Sequence, residues 1–390
     1  MNFEQVKNKA DNALMPTYAH FSVALEKGKG ATLTDVEGKE YIDFTSGIGV
    51  NSLGYADEGW INAITEQAKK LAHTSNLYYN PTVAEFAQTL CEKSGFDKAF
   101  LCNSGAEANE CAFKLARKYS FDKYGEGRNE IISLVNSFHG RTMATITATG
   151  QEEFHKYFFP FNDGFKYAKA NDFEAFKAAI SEKTCAVIME PIQGEAGVFP
   201  IEKDFAKAVA ELCREKDIVL IFDEVQTGVA RTGKLYAWEN LGVKPDVLTS
   251  AKGLGGGLPI GACLAMNPFG EVLTSSTHGT TFGGNPIVCA GGLEVLSRID
   301  ENMLEEVNKK AEYIKEKLSD VEEIAEIRGM GLMIGLSLKN KTAKEVAAKC
   351  LEKGLMILTA HLAVRMLPPL VISYEEIDIG IAILKSVLDE

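Results

Sequence analysis

Four short segments carry residue types whose order could do chemistry on an amine. Lys252 stands in Ser250-Ala251-Lys252-Gly253-Leu254-Gly255-Gly256-Gly257, directly after the run DVLTS. A lysine at a strand end, with glycine backbone close by, can project into a cleft, where burial lowers its pKa and prepares the amine to form a Schiff base. The same residues also describe a surface lysine beside a flexible loop. Asp223 closes the run IVLIF and precedes Glu224, Val225 and Gln226. A carboxylate after five apolar residues is expected to be partly buried and to need a cation. A protonated ring nitrogen would serve, and so would a structural ion pair, while a helix N-cap is a third use of the residue. Asn103-Ser104-Gly105-Ala106-Glu107-Ala108-Asn109 separates an apolar run from a helical pattern. Small residues there let N–H groups at a helix start meet a phosphate, with Ser104 adding a hydroxyl, although a plain cap at Ser104 explains them equally. Ser137-Phe138-His139-Gly140-Arg141 follows IISLV. Phe138 could stack on a planar ring and Arg141 clamp a carboxylate, or the segment could be a loop with a core Phe and a solvated Arg.

No segment decides the matter alone. Together, in chain order, they supply a phosphate cradle, a stacking aromatic, an acid for a ring nitrogen and an amine for a carbonyl, which are the parts that pyridoxal 5'-phosphate (PLP) needs.

Such residues act together only if strands hold them side by side. The middle of the chain alternates apolar runs (AFLC at Ala99, IISLV at Ile131, CAVIME at Cys185, IVLIF at Ile218, DVLTS at Asp246, GACLAM at Gly261) with helical patterns. Runs rich in Val, Ile and Leu suit strands covered on both faces, and the alternation predicts an α/β fold with a mostly parallel sheet between helices. In DFAKAVAELCREK, Phe205, Val209, Leu212 and Cys213 share a helical face and Asp204 is placed to cap it. Residues 31–45 read as a hairpin turning near Glu37-Gly38, and the C-terminal part as helices near Glu301–Leu318 and Lys344–Lys353 around a strand at Met333–Leu338. The expected organisation is a large α/β domain over 50–285 and a smaller α+β domain built from 1–49 and 286–390.

With 54 acidic and 41 basic residues, the net charge of −13 argues against nucleic acid and anionic membrane as partners. No signal peptide and no membrane-spanning run are legible. The eight cysteines are scattered without a C-x-x-C pair, which fits free thiols in a reducing cytoplasm, and no metal-ligand spacing occurs.

Longer stretches resemble the class III (ornithine-type) PLP aminotransferases of fold type I: SGAEANECAFKLARK, SFHGRT, EPIQGEAGV, IFDEVQTGVARTGKLYA, SAKGLGGGLPIGA, HGTTFGGNP and VRMLPPL, in family order over roughly residues 17–370. The resemblance implies that Lys252 carries the cofactor and Asp223 pairs with its ring nitrogen. It further implies that Phe138 and Val225 sandwich the ring, that Gln226 sits near the ring hydroxyl, and that Ser104, Gly105 and Ala106 hold the phosphate. Thr281 is then expected to reach the phosphate of the other subunit in a homodimer with active sites at the interface. Arg141, Thr280 and Tyr18 are expected to contact the substrate. Glu195 and Arg365 would form a switch, Glu195 neutralising Arg365 for an ω-amine donor and Arg365 binding the α-carboxylate of 2-oxoglutarate or glutamate. Ornithine aminotransferases carry a Tyr where this chain has Gly47, which leaves room for an acylated amine and favours N-acetylornithine as donor. Succinylornithine, ornithine, 4-aminobutyrate and N-succinyl-diaminopimelate are the alternatives on the same scaffold, and a non-catalytic PLP-binding regulator is the alternative of another kind. One departure stands out: relatives read H-C-H-P where this chain has Tyr55-Ala56-Asp57-Glu58.

Overall fold

The computed structural model describes residues 1–390. Its centre is a seven-stranded sheet formed by β1 (Lys98–Cys102), β2 (Glu130–Leu134), β3 (Phe165–Ala168), β4 (Thr184–Met189), β5 (Val219–Asp223), β6 (Val247–Ser250) and β7 (Gly261–Ala265). The spatial order is β1-β7-β6-β5-β4-β2-β3. All pairs not involving β7 are parallel, and β7 runs antiparallel to both neighbours. Strands β4, β5, β6 and β7 are buried along their whole length, which accounts for their near-continuous apolar runs.

The two-residue period of the strands sorts these runs onto two faces. Ile131, Ala186, Ile188, Val219, Ile221 and Val247 pack against Ala112, Phe113 and Ala116 of the helix α1 (Gly105–Tyr124). The residues between them, Ile132, Val187, Met189, Leu220 and Phe222, pack against Phe205, Val209 and Leu212 of α2 (Lys203–Glu215). The expected apolar face of α2 is therefore present, but its N-cap is Glu202. Asp204 lies inside the first turn, where a negative charge still suits the helix dipole.

The chain ends meet. The hairpin Thr32–Asp35/Glu40–Asp43 turns through Gly38, whose φ of 86° glycine adopts without strain. Its second strand continues in parallel into Leu355–Met356, with Leu355 opposite Ile42. A second sheet holds Ile324–Met330, Met333–Leu338, Ala363–Met366 and Leu358–Ala360. One apolar cluster runs from Ala31 and Phe44 through Leu248, Leu254 and Ile260 to Ile381 and Leu384, so the end segments pack directly onto the central sheet's supports. Tyr55 donates to Asp43 at 2.8 Å, while Asp57 caps the helix Glu58–Lys70 and pairs with Arg298 at 2.8 Å. The divergent loop is thus tied into the fold through Tyr55 and Asp57. No helix is long and apolar enough to cross a membrane.

Candidate active site

The C-terminal ends of β1, β2, β4, β5 and β6 open on one edge of the sheet into a cavity of about 410 Å³. Ser104, Gly105, Ala106, Phe138, Asp223, Val225, Gln226 and Lys252 all line it, so the four segments meet in one place. This is where an open α/β sheet binds ligands.

At one end stands the start of α1. Ser104 is its N-cap, accepting the Glu107 N–H at 3.2 Å, which leaves the hydroxyl hydrogen free for a ligand. Cap and cradle are one arrangement. A Cβ on Gly105 would lie 2.7 Å from both γ-methyls of Val225, so only glycine lets the helix start approach the loop after β5 this closely. Gly105→Ala is expected to cost about 1–3 kcal/mol of overpacking. The measurements are the apoprotein's thermal midpoint and its affinity for added cofactor, both of which should fall.

At the other end Asp223 is buried. Its Oδ2 accepts from His139 Nδ1 at 2.7 Å and Asn109 Nδ2 at 2.8 Å, and its Oδ1 from the Val225 N–H at 3.0 Å. His139 Nε2 is buried without a partner. Lys252 follows β6 at a φ of 45°, a strained conformation of the kind found at functional sites. Burial holds its amine below the ordinary 10.5, outweighing the upward pull of Glu195 and Asp223. Between the two ends, the Phe138 N–H donates to Glu190 at 2.9 Å, and its ring meets Phe154 edge-on at 5.8 Å.

Beside Lys252 lies an ion pair. Arg365 donates to Glu195 at 2.6 Å and to Gln226 Oε1 at 3.1 Å, while Gln226 Nε2 donates to Glu195 at 3.1 Å. Gln226, expected near a ring hydroxyl, lines the cavity and also bridges this pair. Arg365 Nε remains buried and unpartnered. Burial pushes the Glu195 carboxyl up, but the Arg365 guanidinium beside it pulls it further down, leaving it below its ordinary 4.5.

Residues 14–388 match the model of the class-III aminotransferase family. The chain belongs to that family. It is 47% identical over 392 residues to a Haemophilus ducreyi protein named acetylornithine aminotransferase, covering 100% of both chains. The structure superposes with a TM-score of 0.95 and 32% identity on the ornithine aminotransferase of Toxoplasma gondii, over 99% of this chain and 94% of that one; that structure has partial occupancy of PLP at its active site. The acetylornithine aminotransferase of Elizabethkingia anophelis gives 0.88 and 34%, over 100% and 99%.

As a class-III aminotransferase the protein depends on PLP, and the cavity fits that group on its own terms. A helix start free to bind an anion, a buried carboxylate at the far end, apolar Phe138 and Val225, and an amine with lowered proton affinity stand in one enclosure. Other expected residues lie outside the lining. Thr280 accepts from Asn103 Nδ2 at 3.3 Å, just behind the cradle. Thr281 faces a separate crevice with His73 and Asn76, and Tyr18 is 78% exposed. Arg141 is exposed, its guanidinium 4.2 Å from the Phe154 ring centre. Gly47 has a φ of 63° within Ser46–Gly49, where four successive residues adopt positive φ, including the β-branched Ile48 at 66°.

Glu190, His139 and Asn109 line the same cavity. Glu190 lies at the end of β4, as Asp223 does at the end of β5, and the same signal, a carboxylate directly after an apolar strand, marks it. Burial raises its carboxyl well above the usual range, with Asp223 adding to the effect. His139 lies within SFHGRT and Asn109 within SGAEANECAFKLARK, but nothing in the sequence pairs them with Asp223.

Proposed function

We propose that the protein transfers the δ-amino group of N2-acetylornithine to 2-oxoglutarate, giving N-acetylglutamate 5-semialdehyde and glutamate, as a homodimer in the cytoplasm. The Glu195–Arg365 pair carries this reading. A donor that reacts at an ω-amine has no carboxylate at the reacting carbon, whereas 2-oxoglutarate has one, so a single site must hide and reveal a cation. A guanidinium held by a partly exposed carboxylate, with its Nε still unpaired, has the parts to do both. The names of the full-length relatives support the acylated donor.

Bound PLP supplies an electrophilic carbon for the donor amine and a ring that accepts the electron pair left when a C–H bond breaks. Ser104, Gly105 and Ala106 hold its phosphate, and Phe138 and Val225 flank its ring. Asp223 keeps a proton on the ring nitrogen, and Gln226 stays within reach of the ring hydroxyl while orienting Glu195. Lys252 would hold the cofactor, and its Nζ, when free, would be the base that takes the proton from the substrate's reacting carbon and gives it back as an acid. Arg141, Thr280 and Tyr18 contact the substrate. Thr281 reaches the phosphate of the other subunit across the dimer interface. The large domain over 50–285 carries the cofactor residues, and the small one from 1–49 and 286–390 supplies Gly47 and Arg365.

The test is a half-reaction. PLP-loaded protein is mixed separately with N-acetylornithine, N-succinylornithine, ornithine and 4-aminobutyrate, and loss of the cofactor's near-visible absorbance is followed. Fastest bleaching is expected with N-acetylornithine, and bleaching led by another amine would reject the donor while keeping the site. Gly47→Tyr probes the same pocket. It is expected to lower kcat/KM for N-acetylornithine by roughly tenfold or more, from filled space and from about 1–3 kcal/mol of strain at the positive φ. Because a Cβ there would also lie 3.0 Å from Asn51 Nδ2, the thermal midpoint is read alongside. Gly47→Ala shares the strain without the ring: a loss confined to Gly47→Tyr assigns it to the pocket, an equal loss in both variants assigns it to the turn, and an unchanged rate in Gly47→Tyr rejects the placement.

A further inference from the structure

Asn109 lies in the second turn of α1, is 1% exposed, and has its amide fully engaged. Its Nδ2 donates to Asp223 Oδ2 at 2.8 Å and to the His139 carbonyl at 2.8 Å, while its Oδ1 accepts the Thr249 hydroxyl at 2.7 Å. A carboxylate and a carbonyl can only accept, so the amide cannot be flipped, and the Thr249 hydroxyl must be the donor to Oδ1. One side chain thereby ties together α1, the end of β5, the interior of β6 and the loop that carries Phe138. An asparagine inside a helix is no better than neutral for the helix itself, and a buried amide costs stability unless it is paired. Its placement here makes sense through what it holds.

We propose that Asn109, locked by Thr249, is a positioning residue that fixes the rotation of the Asp223 carboxylate beneath the cofactor. His139 and Asn109 grip Oδ2 from two sides and the Val225 N–H grips Oδ1. The carboxylate plane then cannot turn, and its remaining acceptor sites are presented to the cavity that Asp223 lines. Asn109 couples this grip to the anion-binding helix start, only a few residues upstream on the same helix, so the groups meant for the two ends of the cofactor are set by one rigid element. The inference rests on the reading of Asp223 as the partner of the ring nitrogen.

The test compares Asn109→Ala, Thr249→Val and Asp223→Ala with the wild type. The readouts are the apoprotein's affinity for PLP, the pH titration of the bound cofactor's absorbance, and the apoprotein's thermal midpoint. His139, Glu190 and Lys252 also face Asp223, so the titration is judged as a displacement from the wild-type curve. Asn109→Ala is expected to weaken PLP binding by about 10- to 100-fold, the scale of a hydrogen bond to a charged group, and to displace the titration. Thr249→Val should do the same to a smaller degree. If Asp223→Ala weakens binding while Asn109→Ala changes only the thermal midpoint, Asn109 is merely structural and the inference falls. If Asp223→Ala leaves affinity and titration unchanged, the reading beneath it falls as well. Should Asn109→Ala fail to fold, wild-type affinity and titration in Thr249→Val overturn the inference.

Discussion

Lys252→Ala is expected to leave a folded protein that binds PLP but does not turn over. Amine transfer should fall by about 10²- to 10⁴-fold for the lost proton transfer alone, and further because covalent capture at this position is lost. Steady-state transamination at saturating cofactor measures the effect, and a variant within tenfold of wild type would reject the role of Lys252. The same substitution has a consequence for stability. Burial lowers the Lys252 amine below its ordinary 10.5. The unfolded chain therefore binds that proton more readily than the folded one, which costs stability at neutral pH and ceases to do so as pH rises past the unfolded value. The Lys252→Ala apoprotein is accordingly expected to melt no lower than wild type near neutrality. Capture of PLP by the wild-type apoprotein should also persist to lower pH than it does with a free lysine amine.

The second large effect belongs to Arg365. Arg365→Ala is expected to raise KM for 2-oxoglutarate by roughly 100-fold, the scale of about 2–5 kcal/mol for truncating one partner of a buried charge pair. The N-acetylornithine half-reaction should suffer far less. Glu195→Gln should act the other way round. It leaves the guanidinium uncovered, so the donor half-reaction slows while the half-reaction with glutamate holds or quickens. Equal changes in both half-reactions for either variant would refute the switch. The pair also sets a pH window. Glu195 is held below its ordinary 4.5 by Arg365, so whatever the pair contributes is fully present above that ordinary value and is lost as pH falls through the lowered one. Donor selectivity is thus expected to hold through neutral pH and to erode only in acid.

The central sheet was legible because burial on both faces writes itself into the sequence as apolar runs, and because each run ended in a residue suited to chemistry. β7 shows the limit: GACLAM looks like the other runs, since strand direction leaves no mark on composition. Asp204 shows another. A cap requires a backbone conformation, and Glu202 adopts the extended one that Asp204 was expected to have. Of the site, the residues carried by strand ends (Lys252, Asp223, Phe138 and the Ser104 cradle) were foreseeable from pattern. The grip on Asp223 was not, because Asn109, His139 and Thr249 meet only when α1, the loop after β2 and β6 are packed together. The turn at Ser46–Gly49 was hidden for a different reason: only its backbone dihedrals reveal that Ile48 stands in a left-handed conformation beside Gly47.

The claim on which the rest depends is that Lys252 holds the cofactor in this cavity. Borohydride treatment of the PLP-loaded protein fixes the cofactor to its lysine, and peptide mapping by mass spectrometry then locates it. A single modified site within the peptide that contains Ser250-Ala251-Lys252-Gly253 is the expected result. Modification at another lysine, or none despite bound cofactor, would contradict the account.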